Sequence, residues 1–356
     1  MAESFMLRLI VHATNISQGG GKSLLSALLD ALPTDIEVLA QLDNRMISPI
    51  VITENVKVRL VSPTVRQRLL AEWWLTKNVK STDLVICFGS LTPLFKLQGR
   101  TSVFIQNRYL IDKTSLAEFR LKTKLRLSFE RAWLAMTASN ADEFIVQTPA
   151  METALLLSGL VKQQPIHVRP FTREANGYQR TINYPLNCDG VRAYDFIYVA
   201  SGEPHKNHRQ LVEAWCLLAE QNLFPSLCLT LNENVSVELC AWIDVQKNNY
   251  RLKLNNVGLL PHDQVLTLYS QTRALIYPSR FESFGLPLIE ASQAGLPVLA
   301  AELDYVRDVL DPVQSFDPES PVSIARAVKR YIGVAEPALP LTDAKNFLHL
   351  LLKDSH

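Results

Sequence analysis

Short apolar runs alternate with helical patterns along most of the chain. In the first half, the apolar runs are FMLRLIV, DIEVLAQL, VKVRLV, DLVICFG, TSVFIQN and EFIVQT. A second series follows: FIYVAS, SLCLTL, LKLNNVG, ALIYPS and LPVLAA, separated by predicted helices near 207–221, 235–248, 262–272 and 286–294. Such alternation is typical of βα units around a mostly parallel sheet. The pattern predicts an α/β protein with two doubly wound domains, whose ligand site is the crevice outside the carboxyl ends of the strands.

The alternation breaks down between residues 163 and 190, where proline, asparagine, glycine and charged residues are mixed. We interpret this segment as the connection between a first domain, residues 1–170, and a second domain, residues 191–335. We expect residues 336–356 to form a proline-punctuated linker and a short amphipathic helix. A chain of 356 residues is long enough for two domains that each have a hydrophobic core.

The turn after the first apolar run contains three consecutive glycines, Gly19, Gly20 and Gly21, followed by a lysine and a serine. The letters GGGKS are similar to the end of a nucleotide-binding P-loop, but G-x-x-x-x-G-K-[ST] requires a glycine where Ile16 stands. A P-loop kinase or ATPase is therefore disfavoured. The turn still allows a ligand to approach backbone N–H groups at the start of a predicted helix, and a glycine-rich connector without a ligand is the alternative.

The composition sets further limits. The chain is 47% hydrophobic and 20% charged, with a net charge of +1, which is typical of a folded protein and not of a nucleic-acid-binding one. Five cysteines form no C-x-x-C pair, as expected for free thiols in a reducing compartment. There is no apolar run of 18 residues and no signal-peptide pattern. We expect a cytoplasmic protein that does not bind nucleic acid.

The most informative stretch is ALIYPSRFESFGLPLIEASQAGLPVLAA, residues 274–301. It predicts a strand, a loop, a helix with Pro287 in its first turn, and another strand. Glu282 lies in the loop and Glu290 in the first helical turns, so both can point into the same crevice. The backbone amides that form a positive rim at the start of this helix are those of Phe284, Gly285 and Leu286.

This stretch resembles the retaining glycosyltransferases of family 4, which have the GT-B fold of two Rossmann-like domains facing across a cleft. Their phrase P-S-x-x-E-x-F-G-L-P-x-x-E-A-x-x-x-G-x-P-V is nearly complete here. The resemblance implies that Glu290 holds the ribose hydroxyls of a nucleotide and that Glu282 contacts hydroxyls of the donor sugar. A carboxylate can accept two hydrogen bonds from a vicinal diol, which suits this role.

Two further stretches resemble the same family. IYVASGEPHKNHRQLVEAW is similar to a segment whose lysine neutralises the departing diphosphate, a role that passes to Lys206. The arginine that usually precedes this lysine is missing; Ser201 lies in that region, and His205 or Arg280 is the candidate substitute. NNVGLLPHDQVLTLYSQTRALIYPS is similar to the segment beside the nucleobase. The candidates for that contact are Gly258 and Leu259.

In the first domain, the resemblance rests on TSVFIQNRYLI. Asn107 lies closest to the position where other family members carry a histidine near the reacting sugar, and an amide that stabilises the loop is the alternative. Together with Gly19, Gly20 and Gly21, Asn107 is our candidate for contact with the acceptor or a phosphate.

The resemblance implies a retaining hexosyltransferase that uses a UDP- or GDP-sugar. No D-x-D motif occurs in the chain, so we expect a metal-independent reaction without a cofactor. The expected acceptor is a glycan or polyprenyl-linked glycan in bacterial surface polysaccharide synthesis, such as O-antigen, capsule or exopolysaccharide. The alternative is a catalytically silent GT-B module that acts as a binding or scaffolding partner.

Two basic amphipathic patterns occur at 65–80 and 117–136. In the second, Leu121, Leu125, Phe129 and Trp133 recur at helical spacing beside several lysines and arginines. Such a face can lie on an anionic bilayer, which favours peripheral contact with the cytoplasmic face of the inner membrane. The alternative is an outer helix whose apolar stripe packs into the core and whose charges face water.

Overall fold

The computed structural model describes residues 8–46, 55–112, 114–117, 119, 121–172 and 192–334. Within these ranges the strands form two sheets, and every strand pair is parallel. The first sheet has the order β3-β2-β1-β4-β5-β6-β7. Its strands are β1 (Arg8–Ala13), β2 (Glu37–Asp43), β3 (Val56–Val61), β4 (Leu84–Cys87), β5 (Arg100–Phe104), β6 (Glu143–Val146) and β7 (Ile166–Val168).

Helices cover both faces of the first sheet: α1 (Gly19–Asp30), α2 (Val65–Asn78), α3 (Leu121–Thr137) and α4 (Pro149–Ser158). Leu75 of α2, Leu127 of α3 and Leu155 of α4 belong to one buried cluster, whereas α1 contributes Leu25 to another. Right-handed crossover connections produce this division, because the direction in which the chain moves along the sheet decides the face that each helix covers.

The second sheet has the order β10-β9-β8-β11-β12-β13. Its strands are β8 (Tyr194–Tyr198), β9 (Leu227–Leu229), β10 (Leu254–Asn256), β11 (Thr272–Tyr277), β12 (Val298–Ala301) and β13 (Gln314–Phe316). The helices of this part of the chain are α5 (His208–Glu220), α6 (Val237–Tyr250), α7 (His262–Ser270), α8 (Leu286–Gln293), α9 (Asp304–Arg307) and α10 (Pro321–Tyr331). The central strands are almost wholly apolar because both faces of the sheet are covered.

The prediction of an α/β protein with two doubly wound parallel sheets is confirmed. Strands β7 and β13 were not predicted, because each has three residues and lies at a sheet edge where only part of its surface is buried. The prediction that the glycine triplet precedes the first helix is wrong. Helix α1 begins at Gly19, whose φ of +65° lets the chain turn directly into the helix. The predicted linker and helix at 336–356 lie outside the described residues.

The parallel arrangement places the candidate site residues at common edges. Strands β8, β10 and β11 end at Tyr198, Asn256 and Tyr277, so the turns that follow them meet at one edge of the second sheet. In the first sheet, the turns after β1, β4 and β5 likewise share an edge. These two edges face each other, since the ring of Tyr109 at the first sheet's edge packs against that of Phe281 at the second, with centroids 4.5 Å apart.

Candidate functional site

Lys206 and Glu282 form an ion pair at the carboxyl edge of the second sheet. The Lys206 Nζ lies 2.6 Å from Glu282 Oε1, and the hydroxyl of Tyr277 donates to the same oxygen at 2.9 Å. The two side chains are 16% and 11% exposed. Burial opposes the ionisation of Glu282, but the charge and hydrogen bond of Lys206, together with His205 and a hydrogen bond from Ser279, outweigh it, so the pKa of Glu282 lies below its usual value. The pair is therefore charged and largely shielded from water.

A tight turn positions Lys206. Asn207 has a φ of +64°, and its buried amide donates to the carbonyls of Pro278 at 3.1 Å and Pro318 at 2.7 Å. The hydroxyl of Tyr198 donates to the Lys206 carbonyl at 2.6 Å. Asparagine tolerates the left-handed conformation better than most residues, and its amide replaces backbone hydrogen bonds that the turn lacks. The turn is thus tied to the strand ends on both sides of it.

His205 and Arg280 lie at this turn, but their side chains serve different contacts. The backbone N–H of Arg280 donates to the His205 carbonyl at 2.8 Å. The Arg280 guanidinium donates to the carbonyl of Pro204 at 3.1 Å and lies 3.6 Å from a carboxylate oxygen of Glu319. The His205 ring packs edge-on against Tyr109, with centroids 5.4 Å apart. Of the two candidate substitutes for the missing arginine, Arg280 is thus engaged in holding the turn.

Two histidines flank Lys206: His208 is buried and His205 is half-buried. Burial, with a further contribution from the Lys206 charge, lowers the pKa of His205 to about 4 and that of His208 to about 3. Neither ring nitrogen of His208 has a hydrogen-bond partner within the described residues, and the side chain is buried. Both imidazoles are therefore neutral near pH 7, so that Lys206 is the cation beside Glu282 on this turn.

This arrangement predicts a loss of stability in mild acid. Below the ordinary histidine pKa of 6.5 the unfolded chain binds protons that folded His205 and His208 do not, so the free energy of unfolding falls as pH decreases from 6.5 to about 4. Each histidine contributes a slope of up to about 1.4 kcal/mol per pH unit. Urea unfolding between pH 4.5 and 7.5 measures it. His208→Leu should reduce the slope, and an unchanged slope would contradict this assignment.

Glu290 occupies a second position at the same sheet edge, on α8. Its carboxylate accepts a hydrogen bond from the buried Tyr269 hydroxyl at 3.4 Å and lies 3.1 Å from His262 Nε2. The Glu290 side chain is 17% exposed. His262 begins α7, directly after the turn that contains Gly258 and Leu259. Gly258 has a φ of +78° and the Leu259 side chain is exposed. The turn that holds these two predicted base-contacting residues leads into the helix whose His262 contacts Glu290.

The predicted rim of amides lies at the start of α8. Gly285 has a φ of +72°, and a Cβ there would lie 2.9 Å from Leu288 Cδ1, so the position requires glycine. The Phe284 side chain is buried in the core of the second sheet. Any contact of Phe284 with a ligand would therefore be made by its backbone. Pro287 in the first turn has no N–H, and the Leu288 N–H donates to the Gly285 carbonyl at 2.9 Å.

The glycine triplet of α1 lies opposite this rim. A Cβ on Gly20 would stand 3.1 Å from Leu286 Cδ1, and a Cβ on Gly21 would stand 3.2 Å from Gln106 Oε1. A Cβ on Gly19 would meet nothing within 4 Å. Gly20 therefore brings the backbone of the first domain close to the start of α8, whereas Gly21 packs against Gln106 within the first domain. Packing alone thus explains these two glycines.

Asn107 stabilises its own loop. Its side-chain oxygen accepts from the Tyr109 N–H at 3.1 Å, and its backbone N–H donates to Ser90 Oγ at 3.1 Å. Ser201, the candidate in the region of the missing arginine, donates its hydroxyl hydrogen to the carboxylate of Glu203. The Asn107 contacts agree with the alternative interpretation of this residue as a loop-stabilising amide. The next residue, Arg108, reaches across the cleft.

Arg108 is the cleft residue that the sequence analysis missed. Its guanidinium carbon lies 4.6 Å from the centroid of the Phe281 ring, and Nη1 lies 3.5 Å from the Glu282 carbonyl oxygen. Nε pairs with Asp112 at 3.3 Å. The position of Arg108 in the sequence could have indicated this role. The residue follows β5 at the carboxyl edge of the sheet, where a charged residue tends to face the crevice. Tyr277 and His262 were also missed. Each contacts a predicted glutamate: Tyr277 donates to Glu282, and His262 lies beside Glu290.

Metal-binding residues do not converge anywhere in the described ranges: no three histidine, cysteine, aspartate or glutamate side chains lie where they could hold one ion. Cationic side chains lie at the cleft, among them Lys206 from the second domain and Arg108 from the first. A diphosphate placed between them would meet positive charge from both sides.

Comparison with known proteins places this geometry in context. Residues 191–336 match the family model described as Glycosyl transferases group 1. The chain is 32% identical over 183 residues to the serotype-specific mannosyltransferase WbdA of Escherichia coli, a match that covers 46% of this chain and 21% of WbdA. It is 27% identical over 114 residues to O-antigen chain mannosyltransferase B of Escherichia coli, covering 32% of this chain and 30% of that protein. The matches thus span less than a third of these curated relatives.

Among solved structures, HepE of Anabaena in complex with UDP-glucose is similar over 92% of this chain and 90% of HepE, with a TM-score of 0.64 and 15% identity. At this identity the similarity concerns the fold. Two parallel α/β sheets facing across a cleft are the arrangement that the resemblance to glycosyltransferases predicted. The chain therefore has the GT-B fold, and its residues 191–336 match Glycosyl transferases group 1.

Proposed function

We propose that this protein transfers a sugar from a nucleoside-diphosphate donor to a glycan acceptor. The observation that carries the proposal is the grouping of Lys206, Glu282 and Glu290 at one carboxyl edge of the second sheet, with the first domain facing them. An anionic, hydroxyl-rich ligand suits this grouping, because carboxylates accept hydrogen bonds from hydroxyls and Lys206 attracts phosphate.

In the proposed complex, Glu290 accepts hydrogen bonds from the ribose hydroxyls, and the Gly258–Leu259 turn borders the base. Glu282 accepts from hydroxyls of the donor sugar. When the bond between the sugar and the diphosphate breaks, the bonding electrons leave with the phosphate oxygen, and Lys206 and the amides at the start of α8 stabilise that charge. The acceptor hydroxyl oxygen then bonds to the anomeric carbon, and its proton passes to the released phosphate oxygen. Preorganised charges of this kind contribute several kcal/mol, on the order of 10²–10³ in rate.

Arg108 completes the proposed diphosphate site from the opposite domain. The position of the usual arginine is held by Ser201, whose hydroxyl is engaged with Glu203. Arg108 lies beside Glu282 with its guanidinium stacked on Phe281. Because the first domain supplies the charge of Arg108, diphosphate binding would be coupled to closure of the cleft. Both domains must be in place to surround the leaving group.

The finer features of the proposal rest on resemblance. Membership of family 4 and retention of configuration follow from the phrase around Glu282 and Glu290. Metal independence fits side-chain cations at the cleft. The names of the two curated relatives, a serotype-specific mannosyltransferase and an O-antigen chain mannosyltransferase, support a hexose donor and a role in bacterial surface polysaccharide synthesis. UDP and GDP remain the two candidate carriers.

A nucleotide-release assay tests the proposal. The purified chain is incubated with UDP-glucose, UDP-galactose, UDP-N-acetylglucosamine, GDP-mannose and GDP-fucose, and free UDP or GDP is measured without an acceptor. Slow hydrolysis of one donor or a small group is expected, with a thermal shift for the same compounds. Arg108→Ala should lower the rate by about 10-fold, since one charged hydrogen bond contributes roughly 1.5 kcal/mol or more.

A catalytically silent module is the second candidate, and one observation favours it: Lys206 and Glu282 already satisfy each other at 2.6 Å, as a structural ion pair would. A silent module would hydrolyse no donor in the panel, and Lys206→Ala would change stability alone. ATP hydrolysis, by contrast, would support the interpretation of the glycine triplet as part of a nucleotide-binding P-loop.

A further inference from the structure

The outer surface of the first domain carries apolar side chains that face water. On α3, Leu121, Leu125 and Phe129 are 72%, 64% and 61% exposed, whereas Leu127, Glu130 and Leu134 face the core. The alternative reading, in which this stripe packs into the core, is therefore wrong. Of the predicted stripe, Trp133 is the exception, because its indole N–H donates to the Thr92 carbonyl at 2.9 Å.

Helix α2 carries a parallel stripe. Val65, Leu69 and Trp73, each four residues apart, are exposed, and Leu70 lies beside them. Residues four apart on a helix lie on one face. We call the two stripes together the outer apolar face: Val65, Leu69, Leu70 and Trp73 of α2 with Leu121, Leu125 and Phe129 of α3.

The two helices lie in one layer. Both contribute to the buried cluster on the same face of the sheet, through Leu75 and Leu127. Burial raises the pKa of Glu130 on α3, and the charges of Arg126 and of Arg68 on α2 offset part of that rise, so the helices are close enough to interact. Both helices therefore cover the same face of the first sheet, and their exposed stripes lie on that side of the domain.

The exposed charged residues on the two helices that form the outer apolar face have one sign. Helices α2 and α3 contain two acidic residues, Glu72 and Glu130, and both are buried. The basic residues exposed on these helices are Arg66, Lys77, Lys122 and Arg126. Water-facing leucine, phenylalanine and tryptophan surrounded by cations complement an anionic surface with an apolar interior. A protein partner of matching chemistry would need both an acidic rim and an apolar centre.

We propose that the outer apolar face docks on an anionic phospholipid bilayer. Within the described ranges no helix is long and apolar enough to cross a membrane, so docking would place α2 and α3 in the interfacial region with their axes along the surface. Both helices begin after strands of the first sheet end, hence Val65 and Leu121 lie toward the edge that borders the cleft. A lipid-linked molecule held in the bilayer would thereby be presented near Lys206 and Glu282.

Vesicle flotation tests the proposal. The full chain is mixed with vesicles of phosphatidylcholine alone or with 30% phosphatidylglycerol added, at 150 mM NaCl. Flotation with the anionic vesicles is expected, with about 10-fold weaker binding to neutral ones. The variant Leu125→Ser with Phe129→Ser and Trp73→Ser should lose binding. Its matched control is Val237→Ser with Val245→Ser, which removes exposed apolar residues from α6 of the other domain and should float like the wild type.

A charge variant separates the two contributions. Lys122→Gln with Arg126→Gln should abolish the preference for anionic vesicles, whereas Arg251→Gln with Lys253→Gln, exposed on the second domain, should preserve it. Absence of flotation with anionic vesicles would overturn the proposal. The proposal would also be overturned if light scattering showed that the wild type is a dimer and that the triple serine variant containing Trp73→Ser is a monomer. The outer apolar face would then bind a second copy of the chain. Nucleotide release without acceptor needs no membrane, so the failure of either proposal can be recognised independently.

Discussion

Lys206→Ala should lower nucleotide release from the preferred donor by about 100- to 1,000-fold, the usual effect of removing one preorganised charge from a transition state. The reason lies in the geometry of the pair. Lys206 is held by the Tyr198 hydroxyl and the Asn207 turn, and it is the cation nearest Glu282. With Lys206 absent, the departing diphosphate would lose its closest compensating charge within a site where water is largely excluded.

The main confounding effect is stability, because Lys206→Ala leaves the buried Glu282 carboxylate without its partner. The double variant Lys206→Ala with Glu282→Ala removes both charges and should unfold closer to the wild type while remaining inactive. Lys253→Ala is the matched control, since this exposed lysine precedes β10 at the opposite, amino edge of the same sheet. An active, stable Lys206→Ala protein would remove Lys206 from the mechanism.

Glu290→Ala should weaken nucleotide binding by about 10- to 100-fold, corresponding to one or two hydrogen bonds to a charged group at roughly 1.5 kcal/mol each. The carboxylate is already oriented by Tyr269 and His262, so little ordering cost opposes the ribose. Isothermal titration with UDP and GDP measures the effect. The rate at saturating donor should change much less than the affinity, because the ribose contact is the same before and during the reaction.

A matched pair of ligands isolates the ribose contact. The wild type should bind UDP or GDP more tightly than the corresponding 2′-deoxynucleotide, and Glu290→Ala should remove that difference. Glu220→Ala, an exposed carboxylate at the end of α5, should leave both affinities unchanged. If the Glu290→Ala variant kept the full preference for the ribose nucleotide over the 2′-deoxynucleotide, the Glu290 carboxylate would not be the group that recognises the ribose hydroxyl.

The sequence predicted the fold well because parallel sheets covered on both faces produce continuous apolar runs. Strands such as LVIC at β4 and TRALIY at β11 stand out from the polar turns around them. Strands β7 and β13 lack this contrast. Their three residues lie at sheet edges, where one side is solvated, and no periodicity can emerge over such a length.

The candidate site was predicted from local phrases, so its partners from elsewhere in the chain were missed. Glu282 and Glu290 stand out in the loop and helix after β11. Arg108 lies 174 positions from Glu282 in the chain, and its approach depends on how the two sheets face each other. The orientation of the α3 stripe was equally beyond the sequence, because periodicity establishes that a face is apolar but not whether that face meets the core or the solvent.

A crystal structure of the chain with UDP or GDP, whichever binds, tests the central claim most directly. The account predicts that the ribose hydroxyls lie within hydrogen-bond distance of the Glu290 carboxylate and that the diphosphate contacts Lys206 Nζ. A nucleotide bound instead at the glycine turn of α1, with Glu290 and Lys206 both untouched, would contradict it.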